Sequence, residues 1–218
     1  MSQILLYNYF RSSTSYRARL ALHHKNIPFE YKAISLLKGE QRSEEYLKLN
    51  PMGGVPTLVH DGHVIAESFA IIEYIEEVFP QNPLLPKDVV KRAQIRQACE
   101  FVNADIHPLG NLKIQKYLSE NGFTDTQKEA WLQHWFGTGL AALEKLLTKY
   151  AGKYCFGDEI TLADIFMVPQ YMSAARFGLD MSKFKLLTKI NDNCLQLETF
   201  KKSHPFRQID TPDDLRIP

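Results

Sequence analysis

With 218 residues and 44% hydrophobic content, the chain carries enough apolar material to fold as one large domain or two modest ones without disulfide or metal staples. Charged residues make up 23% and the formal net charge is +1, so composition supplies no field that would recruit nucleic acid or an acidic membrane surface. Three widely spaced cysteines, Cys99, Cys155 and Cys194, fall outside any C-x-x-C pattern, and neither a leader-like N-terminus nor a bilayer-length apolar run is visible. Reduced thiols and a soluble cytoplasmic protein are therefore expected.

In chain order, residues 3 to 7 form a short apolar run that predicts a buried strand, and Ser12-Ser13-Thr14-Ser15 after it predicts a helix start. That helix carries Ala18, Ala21 and Leu22 on one face and stops near Lys25-Asn26, ahead of Pro28. A second strand fits Phe29 to Ile34, and a short polar helix fits Gln41 to Leu49. Val55 to Val59, the Asp61-Gly62 turn and His63 to Ile65 give a hairpin signal. Behind Ser68, apolar Ile71, Ile72, Ile75, Val78 and Phe79 recur at helical spacing until Pro80.

The segment Gln81 to Pro86 is rich in breakers and reads as a linker. Beyond it only helical patterning is found, over about Asp88 to Tyr117, Thr126 to Lys149, Leu162 to Ala175 and Leu186 to Thr199. Thr161-x-x-Asp164 is a capping-box start assigned to stability. The order β-α-β-α-β-β-α is the pattern of a thioredoxin-like domain, so the expected architecture is an α/β N-terminal thioredoxin-like domain over residues 1–82 and an all-α C-terminal domain over residues 87–218.

Several residues carry chemistry on their own account. A thiol with a pKa of about 8.5 needs help to ionise at neutral pH, and a hydroxyl such as Ser12 at a helix N-terminus can give it, alongside unpaired backbone N–H groups and the helix dipole. The plainer alternative is that Ser12 to Ser15 only cap the helix. Glu67-Ser68 offers a carboxylate and donors at the start of a strongly patterned helix, or simply an acidic first turn. His107-Pro108 interrupts a long helical pattern, and a lone helical histidine is more often structural. The seven histidines form no H-E-x-x-H pattern, and there is no zinc spacing, G-x-G-x-x-G or Walker loop, so no metal or nucleotide is expected.

Read together, Arg11-Ser12-Ser13-Thr14-Ser15-Tyr16-Arg17, Asn50-Pro51-Met52, Val55-Pro56, Glu67-Ser68, Ala70 to Glu76, Gly157-Asp158-Glu159, Leu162-Ala163-Asp164, Val168-Pro169-Gln170 and Asp210-Thr211-Pro212 resemble the zeta-class glutathione transferases. Each fragment is weak alone; their order and spacing over nearly the whole chain are specific. The resemblance implies the glutathione transferase fold, glutathione as cofactor, a homodimer, and cis–trans isomerisation of a maleyl dicarboxylate, maleylacetoacetate to fumarylacetoacetate, in aromatic amino acid catabolism. It implies glutathione contacts at Ser12, Ser13, Thr14, Ser15, Tyr16, Arg17, Gln41, Val55, Glu67 and Ser68, and further on at His107, Asn111, Leu112 and Lys113. Val55-Pro56 is expected to be cis, leaving the Val55 backbone to pair with the cysteinyl part of glutathione; a simple strand-start proline is the alternative.

Catalytic roles are implied for Ser12, Ser13, Arg11 and Arg176. The two arginines suit a substrate with two carboxylates, because a guanidinium binds a carboxylate bidentately, with Lys113 as a weaker third candidate. Two departures bear on substrate. Thr14 stands where the family usually has cysteine, which removes a protein thiol from the site. His107 stands where the zeta pattern has glutamine, and the bacterial maleylpyruvate isomerases, which the chain also resembles, have a histidine there. The rival readings are a maleylpyruvate isomerase, a general glutathione transferase or peroxidase, and a non-catalytic glutathione-transferase-like interaction protein.

Overall fold

The computed structural model describes residues 3–217 and divides the chain into two compact units, residues 1–83 with 197–218, and residues 84–196. In the first unit the elements are β1 (Ile4–Asn8), α1 (Ser13–His24), β2 (Glu30–Ala33), a 3-10 turn (Glu40–Arg42), α2 (Glu44–Leu49), β3 (Thr57–His60), β4 (His63–Ala66) and α3 (Ser68–Val78). The sheet order is β2-β1-β3-β4, with β1 and β2 parallel across the α1 crossover, and β3 antiparallel to both β1 and β4. Asp61 (φ 51) and Gly62 (φ 78) both take the left-handed conformation that a two-residue hairpin turn requires.

One face of the sheet is sealed by α1 and α3 through Ile4, Leu6, Ala18, Leu22, Ile27, Leu58, Ile71 and Ile75, all buried. At about 1.5–3 kcal/mol for each fully buried aliphatic side chain, this cluster dominates the stability of the unit. Lys25, at the end of α1, is buried too. Its ammonium pairs with Glu76 Oε2 at 2.8 Å and donates to Phe79 O at 2.7 Å and Gln81 O at 3.0 Å, closing the C-terminus of α3. The single helix expected over Gln41 to Leu49 is instead split. Ser43 is extended (φ −62, ψ 148) and its hydroxyl accepts from Tyr46 N–H, so a side-chain cap wins over helix continuation.

The second unit contains α4 (Val89–Glu100), a π-helical turn (Phe101–Ile106), a 3-10 turn (His107–Gly110), α5 (Leu112–Glu120), α6 (Asp125–Leu147), α7 (Leu162–Arg176) and α8 (Lys185–Leu195). The long helix expected from Asp88 to Tyr117 is thus four pieces. Pro108 lacks the N–H a continuing helix needs and its ring crowds the preceding turn, so the chain widens before it and restarts at Asn111. Buried Leu132, Phe136, Leu140, Leu143 and Leu147 form the inner stripe of α6. The capping box of α7 is present: buried Asp164 accepts from Cys155 N and Thr161 N at 2.8 Å each and from Thr161 Oγ1 at 3.0 Å. Burial raises the pKa of that carboxyl, against the pull of these hydrogen bonds.

Residues 197–217 belong with the first unit, although the sequence pattern assigns them to a helical domain starting at 87. The expected helix from Leu186 to Thr199 breaks at Leu197, which is extended (φ −78, ψ 138), and α9 (Glu198–Ser203) follows. The reason lies in α1, whose buried Tyr16 and Arg19 find their acceptors on Phe200 O and Ser203 O. No helix among the described residues is long and apolar enough to cross a membrane, and no group of three or more His, Cys, Asp or Glu is arranged to hold a metal ion.

Candidate active site

Ser12 is the N-cap of α1 (φ −69, ψ 122), and its Oγ accepts the Ser15 N–H at 3.2 Å. Its oxygen also lies 2.8 Å from Thr14 Oγ1. Thr14 Oγ1 donates its one proton to the Val55 carbonyl at 2.8 Å, so within the pair the Ser12 hydroxyl is the donor. Ser12 is therefore a cap and a half-exposed hydroxyl at once, with a proton held by Thr14 that can be redirected. No acidic residue sits in the first turn of α1, and the Arg11 guanidinium stands next door over the Phe10 ring, 5.9 Å from its centroid.

That environment favours an anion. Lowering a thiol pKa by about 2 units requires roughly 2.7 kcal/mol. A hydroxyl donating to a charged sulfur contributes about 1.5–3 kcal/mol, and a helix N-terminus adds about 0.3–1 kcal/mol. Their sum, about 1.8–4 kcal/mol, brackets that requirement.

Around this serine the first unit sets further polar groups. The Val55–Pro56 peptide is cis. The loop before it is fixed by Tyr46, whose hydroxyl donates to Gly54 O at 2.6 Å, and by Asn50 Nδ2, which donates to the same oxygen at 3.0 Å. Gly53 (φ 58) lets this loop lie against Gln41, since a Cβ there would sit 2.8 Å from Gln41 O. Gln41 Oε1 is buried with no hydrogen-bond partner among the described residues, a cost that a ligand donor would remove. Glu67, exposed and at the cap of α3, is held at φ 69, ψ 122 and makes no side-chain cap bond. Such strain costs about 1–3 kcal/mol and points to a role at the helix end, where first-turn N–H groups suit a carboxylate and the Glu67 side chain suits an ammonium.

Ser15, Tyr16 and Arg17 are a correction to the expected contact set. All three are buried, with essentially no surface to offer a ligand. The Ser15 hydroxyl accepts from Tyr9 N at 3.3 Å, the Tyr16 hydroxyl donates to Phe200 O at 3.4 Å, and Arg17 Nη1 donates to Ser68 Oγ at 3.4 Å. Every residue of α1 from Ser15 to Leu22 is buried, because the helix packs against both α3 and α9, so these three side chains support α1 and the start of α3 from inside the unit.

The remaining candidates lie in the second unit. His107 opens the 3-10 turn after the π turn, and Asn111 caps α5 by accepting from Lys113 N at 3.1 Å, with Leu112 and Lys113 exposed in the first turn. Arg176 ends α7, exposed, its guanidinium 4.8 Å from the Phe177 ring centroid. The candidate site residues fall in both units: Arg11, Ser12, Thr14, Gln41, Val55 and Glu67 in the first, His107, Asn111 and Arg176 in the second. Sequence reasoning passed over Arg19 and Tyr31 and took Asp210 only as part of the family pattern; Arg19 and Asp210 hold the Ser12 loop, and Tyr31 sits on the far oxygen of Asp210. The one available signal was a second arginine two positions after Arg17, inside an apolar helix.

Residues 2–77 match the family described as "Glutathione S-transferase, N-terminal domain". The maleylacetoacetate isomerase of Dictyostelium discoideum is 44% identical over 211 residues, covering 96% of each chain. Among solved structures, a bacterial zeta-class maleylpyruvate isomerase in its holo form superposes with a TM-score of 0.93 at 39% identity, covering 95% of this chain and 100% of that one. The maleylacetoacetate isomerase of Anaeromyxobacter dehalogenans, with glutathione in its active site, gives a TM-score of 0.89 at 38% identity, covering 97% and 99%. The chain belongs to the glutathione S-transferase family, and within it to the zeta class.

Proposed function

We propose that the chain is a glutathione-dependent cis–trans isomerase whose substrate is a maleyl dicarboxylate, with maleylacetoacetate converted to fumarylacetoacetate. The carrying observation is Ser12: a half-exposed hydroxyl at an N-terminus with no acidic first turn, its proton lent to Thr14 and available to a sulfur anion. When bound, glutathione would supply a thiolate able to add reversibly to the cis double bond, so that rotation about the resulting single bond and breaking of the same C–S bond return the thiolate and release the trans isomer. Ser12 holds its proton toward the sulfur. Gln41, the Val55 backbone, Glu67 and the start of α3 take the polar groups of the tripeptide, and Arg11 and Arg176 bind the substrate carboxylates. His107, Asn111, Leu112 and Lys113 belong to the same reading as secondary contacts from the helical unit.

Maleylpyruvate is the second substrate to try, favoured by Thr14 and His107 and by the close superposition on a maleylpyruvate isomerase. The reading includes homodimeric assembly, which light scattering tests, and a cytoplasmic location, which suits three buried cysteines, none in a disulfide. Retention on glutathione resin followed by assays on maleylacetoacetate, maleylpyruvate and a neutral electrophile separates the alternatives. The isomerase reading requires retention and turnover of a maleyl substrate; retention with conjugation alone means a general transferase, and no retention means an interaction protein.

A further inference from the structure

The loop that presents Ser12 is tied down by residues outside the site itself. Arg19, buried on α1, donates to Asn8 Oδ1 at 2.9 Å, Tyr9 O at 3.3 Å, Phe10 O at 3.0 Å and Ser203 O at 3.2 Å. Phe10 N–H donates to Asp210 Oδ2 at 3.0 Å, and Asp210 Oδ1 accepts from the Tyr31 hydroxyl. Ser12 N–H donates back to Tyr9 O at 3.1 Å. The Tyr9–Phe10 peptide is thus polarised between a cation on its oxygen and an anion on its N–H, an arrangement in which each hydrogen bond strengthens the other.

Two of these anchors, the Ser203 carbonyl and the Asp210 carboxylate, come from the C-terminal segment. Among the described residues Arg19 makes no direct ion pair; its charge is answered across one peptide by Asp210. A hydroxyl that must meet a sulfur anion at hydrogen-bond distance tolerates little drift of its loop, because contact energy falls steeply over about 1 Å.

We infer that Asp210, with Arg19, is a positioning residue for the reaction: the C-terminal segment clasps the β1–α1 loop and sets the Ser12 hydroxyl where a glutathione thiolate needs it. This rests on the isomerase reading for its chemistry, while the clasp itself does not depend on the ligand. Asp210→Ala removes the acceptor for Phe10 N–H. Asp210→Asn keeps one acceptor and loses the charge. Tyr31→Phe removes the other partner of Asp210 without touching the loop.

In the full-length chain, the thiolate absorbance of bound glutathione is titrated, kcat and KM are measured, and amide exchange is followed over residues 9–12. For Asp210→Ala the bound-thiol pKa should rise, kcat should fall about tenfold with KM for glutathione within about twofold, and exchange in the loop should quicken. Asp210→Asn, which keeps the acceptor but not the charge, should show the same three changes at smaller size, with kcat down about two- to threefold, and Tyr31→Phe should lower the unfolding temperature without moving the thiol pKa. An alanine variant that loses thermal stability but keeps wild-type thiol pKa, kcat and loop exchange overturns the inference. So does an unfolded alanine variant paired with an asparagine variant identical to wild type in all three. A wild-type chain whose bound thiol titrates like free glutathione counts against the isomerase reading instead, and loop exchange in Asp210→Ala still decides the clasp.

Discussion

Ser12 is asked to do two things with one oxygen: accept the Ser15 N–H as a cap and give its proton away. Ser12→Ala removes both, and an N-cap loss of about 1 kcal/mol is small beside the effect on the thiolate. Turnover should drop at least about tenfold with glutathione binding little changed, and the bound-thiol pKa should rise. An unchanged pKa with unchanged turnover would reduce Ser12 to a cap. Arg176→Ala should cost about ten- to a hundredfold in kcat/KM on the dianionic substrate, the value of a charge-assisted bidentate contact, and leave a neutral electrophile largely unaffected. Arg176→Lys should restore part of that, keeping charge without the fork; equal losses on both substrates would assign Arg176 to the fold. That Ser12 caps α1 and that Glu67 stands at the start of α3 were legible in the sequence, because each is local to a helix end. Ser15, Tyr16 and Arg17 read identically there, and only the packing of α1 against α3 and α9 buries them. The bond from Phe10 to Asp210 joins residues 200 apart, beyond anything a pattern reveals.

At the scale of elements, the π turn over Phe101–Ile106 is positioned by a glycine of α6. A Cβ on Gly139 would lie 2.2 Å from Ile106 Cγ1, and Ile106 is fully buried, whereas a Cβ on Gly137 would meet Leu179 Cδ1 at an ordinary 3.6 Å. Alanine gains about 1 kcal/mol over glycine in a helix interior, but overpacking costs about 1–3 kcal/mol. Gly139→Ala should therefore lower the unfolding temperature and Gly137→Ala should hold or raise it. Similar shifts for both would mean that the π turn yields freely. The strands, the hairpin and α3 lay open in the sequence because period and turn residues agree. The π and 3-10 pieces did not, since both share the apolar spacing of an ordinary helix and only Pro108 hinted at a break.

Across the whole molecule, His23 and His204 both have their pKa pushed down to about 4, chiefly by burial and then by nearby Arg19, Lys202 and Arg207 charges. Each stays neutral in the folded chain while an unfolded histidine titrates near 6.5. Their contribution to stability is complete above about pH 6.5 and is lost as pH falls toward 4, where the unfolded state binds more protons. Urea unfolding across that window should show a falling midpoint, and His23→Gln should make the fall shallower; a slope the same as wild type would remove His23 from the account. The two-unit architecture was visible in the pattern, but the return of residues 197–217 to the first unit was not, because the acceptors Arg19 needs are carbonyls, which sequence does not mark. The most direct measurement is turnover of maleylacetoacetate by the dialysed chain with no thiol, with glutathione, and with S-methylglutathione, which keeps the tripeptide and blocks the sulfur. The expected result is isomerisation with free glutathione alone. Comparable turnover without a thiol, or with the methylated one, would contradict a mechanism built on a Ser12-stabilised thiolate.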